Sequence, residues 1–309
     1  MSRSFFCAGS RNVPRMSVAP SPPGALTSPD TLNVLLRNIR HVVLDMDGTI
    51  YRGNTLFEDT LPFLNTLEAL GIGRTFLTNN SSKATKDYLA WFKKIGIDAR
   101  VDELYTSAQS TLEYLRANKP KVRRIFLLGS PNLSQEFAEA GFELTADDAA
   151  DEPDAVVIGF DTSLTFSRLC RAAFWIKRGK PFIATHPDRI CPTDEPTVLV
   201  DCGSICRALE EATGRKPDRV MGKPDPQMLG GILKRHHLAP GELAMVGDRL
   251  YTDMAMARET GCLGILVLTG ETTALEAVEA KPPPDLVVPH LNNLGARFKN
   301  EHAGEILRS

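Results

Sequence analysis

From residue 41 onward, short apolar runs alternate with segments whose apolar residues recur three and four apart. No other feature of the chain constrains its fold as strongly. The runs lie at 41–46, 74–78, 124–128, 155–159, 181–185, 219–221, 243–246, 263–268 and 285–288. Between them, sets such as Leu61, Leu64, Leu67 and Leu70, or Tyr88, Leu89, Phe92 and Ile95, repeat with the helical period. A strand that is apolar along its whole length must be covered on both faces. Strand–helix alternation supplies that cover as a parallel sheet with helices on each side. The expectation is an α/β protein with a doubly wound, Rossmann-like parallel sheet. At 309 residues the chain is long enough for two domains.

In a parallel sheet, functional residues gather where strands end and loops begin. Four polar clusters fall at such places, at 45–49, 78–81, 222–224 and 247–253. The first two are close in sequence, as are the last two. Residues 83–201 hold another α/β set with no comparable cluster, which reads as an insertion that splits one domain. The expected division is a disordered N-terminal extension over 1–35, a core of 36–82 and 202–309, and an inserted α/β cap over 83–201.

Each cluster has chemistry that suits a phosphate. Asp45 and Asp47, at the end of a buried strand, are costly unless a cation and a charged ligand sit beside them. A carboxylate such as Asp45 can attack phosphorus covalently, and it can bind Mg²⁺, a hard cation that prefers oxygen ligands. Asp47 is placed for general acid/base work, and its main-chain carbonyl is a further candidate metal ligand. Gly48 turns the chain beside them and is a further candidate phosphate contact. The hydroxyl and N–H groups of Thr78, Asn79, Asn80 and Ser81 suit phosphate oxygens, or simply cap the helix that follows. Lys223 offers a point charge to a phosphate or to crowded carboxylates. Asp248 ends its strand as Asp45 does and would complete the metal's protein ligands. Asp253 is expected to order metal-bound water or hold Lys223, or else to face the helix dipole. A P-loop is excluded, because neither Gly-Lys pair is followed by Ser or Thr.

Taken in order, D-M-D-G-T, T-N-N, G-K-P and G-D-R-L-Y-T-D resemble the four motifs of the haloacid dehalogenase (HAD) superfamily. The length of the insertion and the form G-K-P-D-P resemble subfamily IIA, which holds NagD-like, 4-nitrophenyl phosphate, phosphoglycolate and pyridoxal phosphate phosphatases. The resemblance implies Mg²⁺-dependent hydrolysis of a small phosphorylated metabolite through an aspartyl-phosphate. Asp45 would be nucleophile and metal ligand, Asp47 acid/base, and Thr78 and Asn79 phosphate contacts. Lys223 would balance charge, with Asp248 near Mg²⁺. A phosphotransferase or mutase, or a non-catalytic phosphate binder, are the rivals on the same scaffold. Pairing of two copies through the cap is a further expectation from the resemblance. In the insertion, His186 within Thr-His-Pro-Asp is expected either to reach the substrate or to be a satisfied loop histidine.

Composition narrows the partners. A net charge of −2, from 36 basic and 38 acidic residues, supplies no field for nucleic acid. The chain has no apolar run of the ~18 residues a membrane span requires. Six scattered cysteines lack zinc-site spacing and suit a reducing cytoplasm. Residues 1–29 carry three arginines and no acid, as transit peptides do, but Pro14, Pro20, Pro22 and Pro23 interrupt any amphipathic helix. Met16 is an alternative start.

Overall fold

A computed structural model describes residues 29–81, 84–191, 193 and 196–306. The strands, in chain order, are β1 (His41–Asp45), β2 (Tyr51–Arg52), β3 (Thr55–Leu56), β4 (Gly73–Thr78), β5 (Leu104–Thr106), β6 (Arg124–Leu128) and β7 (Glu143–Leu144). They continue with β8 (Ala155–Ile158), β9 (Phe182–Ala184), β10 (Ile190–Cys191), β11 (Leu199–Val200), β12 (Arg219–Val220), β13 (Leu243–Gly247), β14 (Leu263–Val267) and β15 (Leu286–Val288). Two parallel sheets hold eleven of them. One has six strands in the order β15-β14-β13-β1-β4-β5, and the other five in the order β12-β9-β8-β6-β7.

The covering of both faces follows from the apolar runs. In β1, Val42 and Leu44 point into one cluster with Phe63, Leu67, Leu294 and Phe298. Val43, between them, points into the opposite cluster with Leu229, Ile232 and Met256. The second sheet repeats the scheme. Ile125 and Leu127 of β6 pack with Leu115, Leu133 and Phe137, while Phe126 and Leu128 pack with Trp175, Ile176 and Leu209. Each fully buried aliphatic side chain contributes about 1.5–3 kcal/mol.

Three expectations are corrected here. The N-terminal extension is not irregular up to 35: Pro29–Asn38 is a helix whose Leu32 and Leu36 are buried in the first core. Residues 1–28, and with them the Met16 alternative, lie outside the described residues. The unit boundaries also differ from 83 and 201. β5 belongs to the first sheet, paired with the end of β4. At the other end, the helix Cys202–Thr213 packs on the second sheet, and β12 pairs with β9. Thus the second sheet takes strands from 124 to 220, and the chain returns to the first sheet just after β12.

The strand order places the site. From β1 the chain builds outward to β4 and β5 on one side and, later, to β13, β14 and β15 on the other. The loops leaving the adjacent strands β1 and β13 therefore part in opposite directions and open a crevice at the carboxyl edge.

Candidate active site

Asp45 is the last residue of β1 and is buried. The chain then turns tightly, with the N–H groups of Thr49 and Ile50 donating to the Met46 carbonyl. Thr49 Oγ1 donates to Asp45 Oδ2 at 3.3 Å. Gly48, with φ of +87°, is needed for a second reason: a Cβ there would lie 2.5 Å from Asp248 Oδ2. Its N–H donates to the Tyr51 carbonyl at 2.8 Å, a bond that holds the turn. Asp47 is half-buried at the mouth of the cleft. Its carboxyl is held above the usual range, by burial first and then by the Asp45 charge, against the Gly53 N–H and the Arg249 and Arg52 cations.

Asp248 follows β13, next to β1 in the sheet, so the two carboxylates end adjacent strands. Asp248 Oδ2 accepts the Glu271 N–H at 2.6 Å, while Oδ1 is buried with no hydrogen-bond partner. Asp253 is fully buried, and its Oδ2 accepts the Arg249 N–H at 3.1 Å. Lys223 Nζ lies against both Asp45 Oδ1 and Asp253 Oδ1, the latter at 2.8 Å. Burial alone would discharge this lysine. Asp253 and Asp45 outweigh that and hold its pKa well above the ordinary value.

Lys223 pairs with two of three crowded carboxylates. Asp45, Asp248 and Asp253 bring oxygens to within 4.8 Å of one another, and all three residues are buried. Burial and then the Asp45 and Asp253 charges raise Asp248 to about 7. Asp253 rises to about 6 by burial and the Asp45 charge, with Lys223 opposing. Crowded hard oxygens, excess negative charge and the unpartnered Asp248 Oδ1 are together what a small divalent cation such as Mg²⁺ fits. The cluster includes Asp253, whereas the Asp47 carboxylate, expected among the ligands by way of its main chain, is in neither of the candidate groups of the described residues.

Thr78 ends β4 and its Oγ1 accepts the Asn80 N–H at 3.1 Å. With Asp45, Asp47, Asn79, Asn80 and Lys223 it lines a cleft of about 100 Å³. Tyr51, Asp188, Cys191 and Arg249 also line it, and sequence reasoning did not single them out for the site. Arg249 stood inside the G-D-R motif and Asp188 inside Thr-His-Pro-Asp, so both carried a positional signal. Tyr51 and Cys191 carried none.

His186 does not reach the substrate space. It is fully buried, its Nε2 bonded to Asp201 Oδ1 and its Nδ1 to Thr185 Oγ1, each at 2.8 Å. Burial opposes its charged form, but Cys202, Asp201 and Asp188 outweigh burial and hold its pKa above the ordinary value. His186, Asp188 and Asp201 form the second candidate group, and the His186–Asp201 ion pair already satisfies it.

Comparison with known proteins agrees with this geometry. A haloacid dehalogenase-like hydrolase model matches residues 42–143, and a second HAD-hydrolase-like model matches 220–294. The acid sugar phosphatase of Staphylococcus aureus is 31% identical over 264 residues, which is 85% of this chain and all of that protein. Among solved structures, 4-nitrophenylphosphatase from Thermotoga maritima is 41% identical with a TM-score of 0.79, over 85% of this chain and 98% of that one. Glycerol phosphate phosphatase from Mycobacterium tuberculosis in complex with magnesium is 30% identical with a TM-score of 0.77, over 84% and 78%. Matching motifs flank an inserted sheet in one continuous likeness, and this chain belongs to the haloacid dehalogenase superfamily as a subfamily IIA phosphatase, a phosphoric monoester hydrolase.

Proposed function

We propose that this phosphatase hydrolyses small phosphate monoesters in two steps, with Asp45 as nucleophile and Asp47 as general acid and then base. In the first step an Asp45 oxygen bonds to phosphorus, the ester P–O bond breaks, and Asp47 protonates the departing oxygen. In the second, Asp47 takes a proton from water, which attacks phosphorus, and inorganic phosphate leaves Asp45. The raised carboxyl of Asp47 suits the first role, because it holds its proton nearer to neutral pH. Lys223 keeps Asp45 oriented and offsets part of the negative charge. Asp45 and Asp248, with Asp253 beside them, would hold Mg²⁺. When bound, that ion supplies charge neutralisation at the phosphoryl oxygens.

The observation that carries this reading is the convergence of Lys223, Asp248 and Asp253 on Asp45, which lines one cleft with Asp47 and Lys223. The cleft's small size and the small phosphomonoesters named for the relatives support the substrate class. The test is release of inorganic phosphate from 4-nitrophenyl phosphate and a panel of sugar and polyol phosphates. Asp45→Asn is expected to lose on the order of 10⁴-fold or more in kcat while its circular dichroism stays that of the parent. EDTA is expected to stop turnover and Mg²⁺ to restore it. Full turnover by Asp45→Asn, or transfer of phosphate to an acceptor in place of water, would sink the proposal.

A further inference from the structure

Lys223 does not arrive from the sheet that carries Asp45. It follows β12, an edge strand of the second sheet, at the point where the chain crosses back. Asp188 likewise follows β9, the strand beside β12. Two strand ends of the second sheet must therefore be held against the carboxyl edge of the first.

One buried side chain meets both. Asn79 follows β4 and is 6% exposed. Its Oδ1 accepts the Lys223 N–H at 2.6 Å. Its Nδ2 donates to the Lys223 carbonyl at 3.1 Å and to Asp188 Oδ1 at 3.2 Å. The Asn79 carbonyl in turn accepts Ser107 Oγ at 2.6 Å, which fixes the residue to the first unit. The far side of the joint is equally well held. The Asp188 carbonyl accepts the Gly203 N–H at 2.7 Å, and His186 is locked between Thr185 and Asp201. Gly222, just before the lysine, leaves room for this approach: a Cβ there would lie 2.8 Å from Asn79 Oδ1 and 2.8 Å from His186 Cβ.

With both ends of the amide engaged by protein groups, little of it is left to contact phosphate. We propose that Asn79 is a positioning residue, a pin that joins the strand ends carrying Lys223 and Asp188 to the first sheet and so sets where the lysine stands against Asp45. The inference rests on the role given above to Lys223, but its first readout is independent of turnover.

That readout is hydrogen exchange at the Lys223 amide, measured in the full-length protein. Asn79→Ala removes the acceptor, and exchange there is expected to quicken by about tenfold or more relative to the parent. The second readout is steady-state kinetics with 4-nitrophenyl phosphate. Asn79→Ala is expected to lower kcat by about tenfold or more with KM changed by less than about threefold, because positioning acts on the bound complex. The third is a cycle with Asp188→Ala, at a half-buried position. The double variant is expected to lose no more kcat than Asn79→Ala alone, since the Asp188 link runs through Asn79. Unchanged exchange at Lys223 in Asn79→Ala overturns the pin. So does a rise in KM with kcat preserved, which marks a direct phosphate contact, or kcat losses that multiply in the double variant. If the parent releases no phosphate, the proposed function falls, and the exchange measurement alone still decides whether Asn79 holds Lys223.

Discussion

Two carboxylates separated by one residue live in different surroundings here. Asp45 is buried against Lys223, whereas Asp47 is half-buried, with a carboxyl raised by burial and by its neighbour's charge. Asp47→Asn keeps the shape and removes the proton, so kcat for phosphate release is expected to fall by about 10²–10⁴-fold with the fold unchanged. A kcat within twofold of the parent would rule out acid/base work by Asp47. These residues were legible in the sequence because ionised groups at the ends of apolar strands demand an explanation, and one cleft lined by Asp45, Asp47 and Lys223, with Asp248 beside Asp45, supplies it. His186 was not legible, because the partner that satisfies it, Asp201, stands 15 residues away on the far side of a hairpin. The side-chain partners of Asn79 were not legible for the same kind of reason: its amide faces residues 109 and 144 positions on, and no local pattern encodes that.

At the scale of elements, the turn after β12 is tightly determined. Gly222 has φ of +77° and close neighbours on two sides, whereas Gly179 has φ of +88° and nothing within 4 Å. Alanine at 222 therefore meets both backbone strain and a clash, while alanine at 179 meets strain alone. Gly222→Ala is expected to destabilise by about 1–3 kcal/mol in urea unfolding and to lower kcat, because Lys223 follows directly. Gly179→Ala should cost stability and leave kcat unchanged; equal kcat losses in the two would refute the argument. The strands of both sheets followed from their apolar runs, with β5 and β7 as exceptions. Leu104-Tyr105-Thr106 is three residues long and pairs only with the end of β4, too little for a pattern to register. The misplaced unit boundaries share this origin: β5 and β12 are short strands whose sheet is decided by pairing, and pairing is non-local.

Across the whole molecule, the two sheets also meet through Glu136. Thr85, on a helix of the first unit, donates to Glu136 Oε1 at 3.3 Å, and Glu136 Oε2 is buried without a hydrogen-bond partner. Burial, helped by Glu139 and opposed by Thr85, raises its carboxyl to about 6 from 4.5. A folded-state pKa above the unfolded one means that the contribution is fully present below 4.5 and is lost as pH rises through about 6. Glu136→Gln is thus expected to stabilise by on the order of 1–2 kcal/mol at pH 7, with the gain vanishing toward pH 4. Thermal unfolding at the two pH values checks this, and a gain independent of pH would refute it. A different consequence follows from the way the chain crosses between the sheets. Asp45 and Lys223 touch across 178 positions, and the chain between them must be brought round before they can. Closing so long a loop carries an entropic cost that local contacts do not. Neither end of the chain carries a working site by itself, so turnover reports a completed molecule, and a partly folded one is silent.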